Sequence, residues 1–298
     1  MLQKTVLMIN ENILQEKVLY AENNLLDDLR AHGIEISVVD GCDTYNDAQT
    51  IQMNSGVLTR DNTEEETLYI TDSENTYHVL RRQGKYVLPY RHEGSSDADF
   101  AGALYVIEQI EEVGYETIDM AYRRLAGLPW EIMTTKRCII RETTEEDVDS
   151  FYLIYAEEEI TKYMENLYAN RDEEIAYTRD YRDKVYGFYG YGMWTVLTKE
   201  GTVIGRAGIS WREGFDLPEL GFVIGVPWQR QGYAYEVCSA ILSYAQEELG
   251  MTQIQALVML GNAKSEALCR KLGFQHTEEI TIDGLMYAQM VCDMWKGR

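Results

Sequence analysis

The sequence lacks the features that mark membrane-bound or disulfide-stabilised proteins. No stretch approaches the roughly 20 apolar residues that a membrane-spanning helix needs. A short apolar run at residues 5–9 ends at Asn10 without a cleavage site, so we expect no signal peptide. The five cysteines are widely spaced and form no C-x-x-C pair, which argues against a disulfide framework or a metal site and for a reducing compartment. These absences predict a cytoplasmic protein with no membrane partner and no metal.

Proline and positive charge are also scarce. With only four prolines in 298 residues, no segment resembles a disordered linker, and the length suits two domains. The chain has 27 basic against 50 acidic residues, for a net charge of −23. Such a field repels nucleic acid and attracts cations, which favours an amine or a basic peptide as partner. The plainer interpretation is that the charge only keeps an acidic protein in solution.

The first 132 residues alternate short apolar runs with amphipathic stretches. The pattern predicts strands at residues 5–9, 34–39, 68–70 and 86–88. It predicts helices at about residues 13–29, 73–83, 100–113 and 118–125. Short links between strands and helices indicate a parallel sheet covered on its faces, so the first domain is predicted to be α/β, doubly wound and Rossmann-like.

Polar residues follow each predicted strand of this domain, at residues 10–12, 40–44, 71–73 and 91–94. In a doubly wound sheet these positions share the ligand-binding edge. Residues 40–44 resemble only faintly the Asp-x-Asp-x-Thr motif of haloacid-dehalogenase-type domains, because the spacing differs. His92 is either a catalytic residue or a loop residue bonded to backbone. No G-x-G-x-x-G supports a dinucleotide site, and we interpret this domain as a degenerate or regulatory module of unknown role.

A strand, a glycine loop and a helix follow one another in residues 219–249. Residues 219–224 alternate in the period of a strand, Gly225 breaks the pattern, and helical spacing then runs to a stop at Gly250. The N–H groups at the start of such a helix form an anion site. Gly232 would let a phosphate approach the backbone where a Cβ would block it.

These residues resemble a known family. Gln229-x-x-Gly232-x-Ala234 is similar to the coenzyme A pyrophosphate loop of the GNAT superfamily of N-acetyltransferases. Asn262-x-x-Ser265, followed by Leu-Gly-Phe at residues 272–274, resembles a second segment of that family in the right order and at the right distance. The resemblance covers roughly residues 137–298 and is closest to the branch with ribosomal-protein N-terminal acetyltransferases. We therefore predict a GNAT mixed-sheet α/β domain at residues 133–298, after the first domain at residues 1–132.

The resemblance implies transfer of an acetyl group from acetyl-CoA to a primary amine by direct attack in a ternary complex. The acceptor would be an amine-bearing small molecule or a protein N-terminus. An alternative is a non-catalytic acetyl-CoA sensor whose output is the first domain. The residues implied in coenzyme A binding are Val223, Ile224, Gly225, Val226, Gln229, Arg230, Gln231, Gly232, Tyr233, Ala234, Asn262 and Ser265.

The resemblance also implies two candidate catalytic residues. Glu219 stands at about the position where some members have a general base, although it could instead pair with Arg206 or Arg212. Cys269 stands where the family usually has a tyrosine as general acid. Its thiol could protonate the leaving thiolate, or it could be a small buried residue. Another tyrosine, such as one in residues 185–192, or water could serve in its place.

Overall fold

The computed structural model describes residues 1–19, 24–39 and 66–294, and its fold class is mixed α/β, as predicted. The chain divides into two compact units, Met1–Leu128 and Pro129–Arg298. The boundary that the sequence places between residues 132 and 133 therefore falls inside the first strand of the second unit. In the described part of the chain, no helix has both the length and the apolar character needed to cross a bilayer.

The first unit contains a parallel sheet with the strand order β2-β1-β3-β4. Its strands are β1 Lys4–Met8, β2 Glu35–Val38, β3 Thr67–Thr71 and β4 Tyr86–Pro89. The principal helices described here are α1 Leu25–Ala31, α2 Glu74–Arg82 and α3 Tyr115–Leu125. Because side chains alternate along a strand, Leu68 and Ile70 pack with α1 and α3, whereas Tyr69 packs with α2. Helices thus cover both faces of this sheet.

The helix predicted at residues 13–29 is not continuous. A helical turn at Glu11–Ile13 leads into a π-helical segment at Leu14–Leu19, and α1 begins separately at Leu25. Asn24 starts that second helix, because its side-chain oxygen accepts a hydrogen bond from the Leu26 N–H at 2.9 Å. An asparagine in this capping position was the signal that the sequence prediction missed.

The helix predicted at residues 100–113 is wrong. This segment consists of turns, a parallel bridge between Tyr90 and Ile107, and a 3-10 turn at Ile110–Glu112. Phe100 packs on the α2 face of the sheet and Ile107 on the α1/α3 face. The apolar residues therefore pack on two faces of a sheet, whereas the prediction placed them along one face of a helix.

The second unit is built on an eight-stranded sheet with the order β11-β12-β10-β9-β8-β7-β6-β5. Its strands are β5 Glu131–Thr134, β6 Cys138–Arg141, β7 Met193–Thr198, β8 Val203–Ser210, β9 Glu219–Ile224, β10 Gln253–Met259, β11 Gln275–Ile282 and β12 Leu285–Asp293. All neighbours are antiparallel except β9 and β10, which are parallel.

Helices lie on both faces of this sheet. They are α4 Val148–Tyr155, α5 Glu158–Thr161, α6 Arg171–Tyr181, α7 Tyr233–Glu247 and α8 Ala263–Lys271. The apolar stripe of α7, at Val237, Cys238, Ile241 and Ala245, is fully buried in the main core. A capping box precedes α4, in which the Asp147 carboxylate accepts from the Thr144 N–H at 2.9 Å.

Candidate functional site

The second sheet opens between its two parallel strands. β9 is in register with β8 from Glu219 to Ile224, but within the described residues it pairs with β10 only at Glu219 and Gln255. Gly225 N–H donates to the Ile204 carbonyl of β8 at 2.8 Å. Since backbone groups alternate sides along a strand, those of Phe222 and Ile224 face the gap toward β10. An extended ligand can hydrogen-bond to β9 there.

The strand pairing decides which of the predicted backbone contacts with coenzyme A are available. The residues concerned are Val223, Ile224, Gly225 and Val226. Val223 lies two residues before Gly225, so the backbone groups of both residues face β8 and belong to the sheet. The Ile224 carbonyl faces the gap and accepts from Gln229 Nε2 at 3.0 Å. Val226 begins a 3-10 turn at Val226–Trp228. Of the four residues, Ile224 therefore has the backbone best placed for a ligand in the gap.

The loop after β9 is held in an unusual backbone conformation. Arg230 and Gly232 have φ angles of 59° and 84°, in the left-handed region. Gln231 Nε2 donates to the Pro227 carbonyl at 2.8 Å and closes the loop. α7, 15 residues long, begins at Tyr233 directly after Gly232. Its first amides have no acceptor within the helix, and the positive end of the helix dipole lies with them.

Arg137, which the sequence reasoning missed, lies against this loop. Its Nη1 donates to the Gln231 carbonyl at 2.9 Å, its Nε donates to Glu236 Oε2 at 2.7 Å, and its guanidinium lies 4.0 Å from the centre of the Tyr233 ring. A Cβ built on Gly232 would lie 3.5 Å from Arg137 Nη2. No motif could have revealed this residue, because it precedes the loop by more than half the domain.

The space beside Gly232 suits a phosphate group. A guanidinium and the N-terminal amides of α7 meet at a position that any Cβ would partly fill. Glu236, in the first turn of α7, is neutralised by Arg137. Burial alone would raise the pKa of Glu236, but hydrogen bonds from Thr135 and Arg137 bring it below its ordinary value. The chemistry of these donors therefore fits the pyrophosphate of coenzyme A.

Asn262 and Ser265 lie on the β10 side of the gap, at the start of α8. The Asn262 side-chain oxygen accepts from the Ser265 N–H at 3.2 Å and caps the helix. Lys264, in the same turn, forms an ion pair with Glu159 of α5. The segment between β10 and α8 is thereby held across the gap from Ile224.

Glu219 is 9% exposed, and of the two arginines considered from the sequence it pairs with Arg212. Arg212 Nε donates to Glu219 Oε2 at 2.8 Å. Burial raises the pKa of Glu219 above its ordinary value, Arg212 opposes that rise, and the charge of Glu165 adds to it. Glu165 thus adds negative charge to the surroundings of Glu219, which favours a cation such as an ammonium group.

Cys269 lies in the main core with no exposed surface. Burial raises the pKa of its thiol to about 12. These surroundings suit the packing role that was the alternative for this residue, since a thiol without access to the gap cannot protonate a leaving group there. Within residues 185–192, Tyr186 is also structural, because its hydroxyl donates to the Met193 carbonyl at 2.5 Å and accepts from the Thr143 N–H.

In the first unit, part of the predicted sheet edge comes together. Asp72 Oδ2 accepts from the Asn10 N–H at 3.0 Å and lies 3.1 Å from His92 Nε2. His92 Nδ1 accepts from the Gly94 N–H at 3.0 Å. Both ring nitrogens are engaged, which suits the loop-residue alternative for His92. The predicted residues 40–44 lie outside the described residues. Within the described ranges, no group of three metal-ligating side chains is placed to hold a metal ion.

The second unit is similar to known acetyltransferases. The profile of the acetyltransferase (GNAT) domain matches residues 137–275. An uncharacterized N-acetyltransferase of Bacillus subtilis, YoaA, is 30% identical over 149 residues, which cover 48% of this chain and 82% of that protein. The ribosomal protein uS5-alanine N-acetyltransferase of Escherichia coli is 27% identical over 162 residues, covering 50% and 81%. A solved GNAT-family acetyltransferase from Bacillus anthracis has 20% identity and a TM-score of 0.44, over 53% of this chain and 95% of its own.

Proposed function

Because this chain belongs to the GNAT family of acetyltransferases, and is thus an acyltransferase, we propose that it transfers an acetyl group from acetyl-CoA to a primary amine by direct attack in a ternary complex. The observation that supports this most strongly is the parting of β9 from β10 directly before the Gly232 loop. A sheet that opens beside an anion site can take a long ligand with a phosphate at one end.

Acetyl-CoA would lie along this opening. We propose that the amides of the loop, Gln229, Arg230, Gln231, Gly232, Tyr233 and Ala234, hold the pyrophosphate with help from Arg137. The edge of β9 at Phe222 and Ile224 would bond the pantetheine arm, and Asn262 and Ser265 would contact it from the β10 side. The bound coenzyme supplies the acetyl group as a thioester, and the protein supplies position and proton transfer.

Glu219 is proposed as the general base. The attacking amine must lose a proton, and a carboxylate with a raised pKa is a better base for that step than an ordinary one. Glu219 lies on β9 three residues before Phe222, whose backbone faces the gap. This position supports its role as base. Arg212 holds the carboxylate in position. Glu165 would help to attract the protonated amine before it gives up its proton, directly or through water.

We propose that the departing thiolate is protonated by solvent. Cys269 has no surface through which to donate a proton, and Tyr186 is bonded into the fold. A coenzyme A thiol is a good leaving group, so this step needs no general acid from the protein. The missing tyrosine is then no obstacle to turnover.

The acceptor is proposed to be an amine-bearing small molecule or a protein N-terminus. The Escherichia coli relative acts, by its name, on an alanine of a ribosomal protein, and the net charge of −23 favours cationic acceptors. The first unit is proposed to be a regulatory module. Three of the described cysteines, Cys138, Cys238 and Cys269, are buried thiols outside any disulfide, which supports a reducing, cytoplasmic setting.

The test is binding and turnover measured on the full chain. Calorimetry gives the affinity for acetyl-CoA, and free thiol release is followed with small amines and with a peptide that begins with alanine. Release that depends on the amine is the expected result. Binding without release by any amine would favour the non-catalytic sensor, and the absence of binding would contradict both.

A further inference from the structure

Arg206 lies in the middle of β8, on a face of the second sheet that is covered by aromatic side chains. Its guanidinium stands 4.8 Å from the ring centre of Phe151 on α4. Burial raises the pKa of Tyr155, and the charge of Arg206 and a hydrogen bond from it lower that pKa. The charge of Arg206 also acts on three further tyrosines of α6 and the segment after it, Tyr177, Tyr181 and Tyr186.

This guanidinium has no anionic partner among the described residues. Arg206 forms no ion pair there, and its Nε is buried without a hydrogen-bond partner. Arg141, by contrast, makes two bonds of 2.7 Å to Asp147. The charge of Glu174 acts on two of these tyrosines, Tyr155 and Tyr177, but its Oε2 accepts from the Tyr168 N–H. Arg206 is half-buried, and a cation partly withdrawn from water without an anion is unfavourable, so such a group indicates a site for one.

We propose that Arg206, with the hydroxyls of Tyr155 and Tyr177, binds an anionic group of the acceptor, either a carboxylate or a phosphate. A guanidinium offers paired donors that match both groups. A phenol whose oxygen accepts from the guanidinium still has its own O–H to donate. Tyr177 is 40% exposed, so the cluster reaches the surface. This inference rests on the proposed function, because it assigns the anion to the acetyl acceptor.

The sheet fixes the distance between this anion and the amine. Arg206 lies opposite Val223, and Glu219 stands four residues before Val223, so all three share one face. Four residues of a strand span about 13 Å. Gly221, which pairs with Gly208 of β8, forms the floor between the two ends. The acceptor is therefore an amine joined to an anionic group by a chain of several bonds, with the amine at Glu219.

The side chain of Met193 lies over Gly221. Its Sδ lies 3.0 Å from the position that a Cβ on Gly221 would occupy. A methionine has three rotatable bonds and repacks readily around a ligand. The space over Gly221 can therefore receive an alkyl spacer when Met193 turns aside, whereas the position next to Gly208 is filled by the Gly192 backbone.

The first test compares matched acceptors by thiol release. Straight-chain amino carboxylic acids from two to eight carbons are compared with their carboxamides, and aminoalkyl phosphates of the same lengths with the corresponding alcohols. The acid or phosphate should exceed its neutral partner by about tenfold or more in kcat/KM at the longer spacers, because one charged hydrogen bond is worth that much. Which of the two anions is preferred identifies the natural group. Equal rates for charged and neutral members at every length would overturn the proposal.

Variants show whether Arg206 is responsible. In Arg206→Gln the charged and neutral acceptors should become equal. Arg179→Gln is the matched control, since Arg179 is an exposed arginine paired with Glu145 and should keep the preference. If Arg206→Gln does not fold, Tyr177→Phe serves instead and should reduce the preference. A preference that survives in Arg206→Gln would assign it to another residue.

The second test does not depend on turnover. The ¹⁵N–¹H signal of Arg206 Nε is assigned by its loss in Arg206→Lys and followed in the wild-type chain during titration with propanoate and with inorganic phosphate. A saturable shift with one of them is expected. If no amine gives thiol release, the proposed catalysis fails and this titration still decides the anion site. Absence of a shift with both anions would refute the site even in an active enzyme.

Discussion

Arg212 donates a hydrogen bond from Nε to Oε2 of Glu219 at 2.8 Å, across the turn that joins β8 to β9. The Arg212 side chain is 40% accessible to solvent and the Glu219 side chain 11%. The carboxylate therefore loses hydration that one arginine only partly replaces, and burial keeps the pKa of Glu219 above its ordinary value. One residue can thus be both an ion-pair partner and a base.

The first prediction concerns Glu219→Gln, which keeps the shape of the side chain and removes its basicity. We expect kcat to fall by roughly 10²–10⁴ with unchanged affinity for acetyl-CoA. In the wild type, activity should be lost as pH falls through the folded pKa of Glu219, above the ordinary value of about 4.3. The measurement is a pH–rate profile of kcat for both proteins.

Arg212→Gln is the companion variant for that profile. Without the arginine, the buried carboxylate is harder to ionise, so the acidic limb should move to higher pH, whereas Glu219→Gln should abolish it. An acidic limb that is identical in all three proteins would exclude Glu219 as the base. The tyrosines of residues 185–192 other than Tyr186 would then be the next candidates.

The second prediction separates the phosphate site from backbone strain at Gly232. Any residue other than glycine is strained at a φ of 84°, so a bulky substitution would confuse two effects. Asparagine tolerates this conformation best. Gly232→Asn should weaken acetyl-CoA binding by about tenfold or more, because its side chain enters the phosphate position beside Arg137.

Gly250→Asn is the control. Gly250 follows the other end of α7 with a φ of 65°, and a Cβ there meets nothing within 4 Å. Calorimetry should give the wild-type affinity for this variant. Equal affinities for the two asparagine variants would mean that the loop does not hold the phosphates.

The third prediction is that Cys269→Ala changes stability and not turnover. Removing a fully buried thiol should lower the free energy of unfolding by about 1 kcal/mol. Because solvent protonates the leaving thiolate in our account, kcat should remain within about twofold of wild type. A loss of about a hundredfold in kcat, at a temperature where the variant is folded, would restore Cys269 as the general acid.

The sequence predicted those parts of the fold and site that are local in the chain. β9 was placed at its observed bounds, because alternation and the break at Gly225 are both local signals. The helix at residues 100–113 failed, because its apolar residues pack on two faces of a sheet. The sequence could not identify Arg137 and Arg206 as site residues. The loop beside Arg137 and the tyrosines around Arg206 come from distant segments of the chain. The sequence left both roles of Cys269 open, general acid or buried packing residue, because burial is a property of the fold.

The fourth prediction concerns where the second unit can be separated. A fragment of residues 129–298 should fold and bind acetyl-CoA as the full chain does. A fragment of residues 133–298 lacks half of β5 and the Trp130 N–H, which donates to the buried Glu142 carboxylate at 3.2 Å. It should be less stable by about 1–3 kcal/mol. Denaturant unfolding measures the difference, and an insoluble longer fragment would mean that the second unit does not fold alone.

Transfer of an isotope-labelled acetyl group tests the central claim most directly. The full chain is incubated with acetyl-CoA carrying ¹³C in the acetyl carbonyl and with the amine that gives the fastest thiol release, and the carbonyl signal is followed by NMR. Our account predicts a new ¹³C amide signal on the amine that grows one for one with free thiol and is slowed in Glu219→Gln. Thiol release that yields only labelled acetate, with no amide, would contradict it.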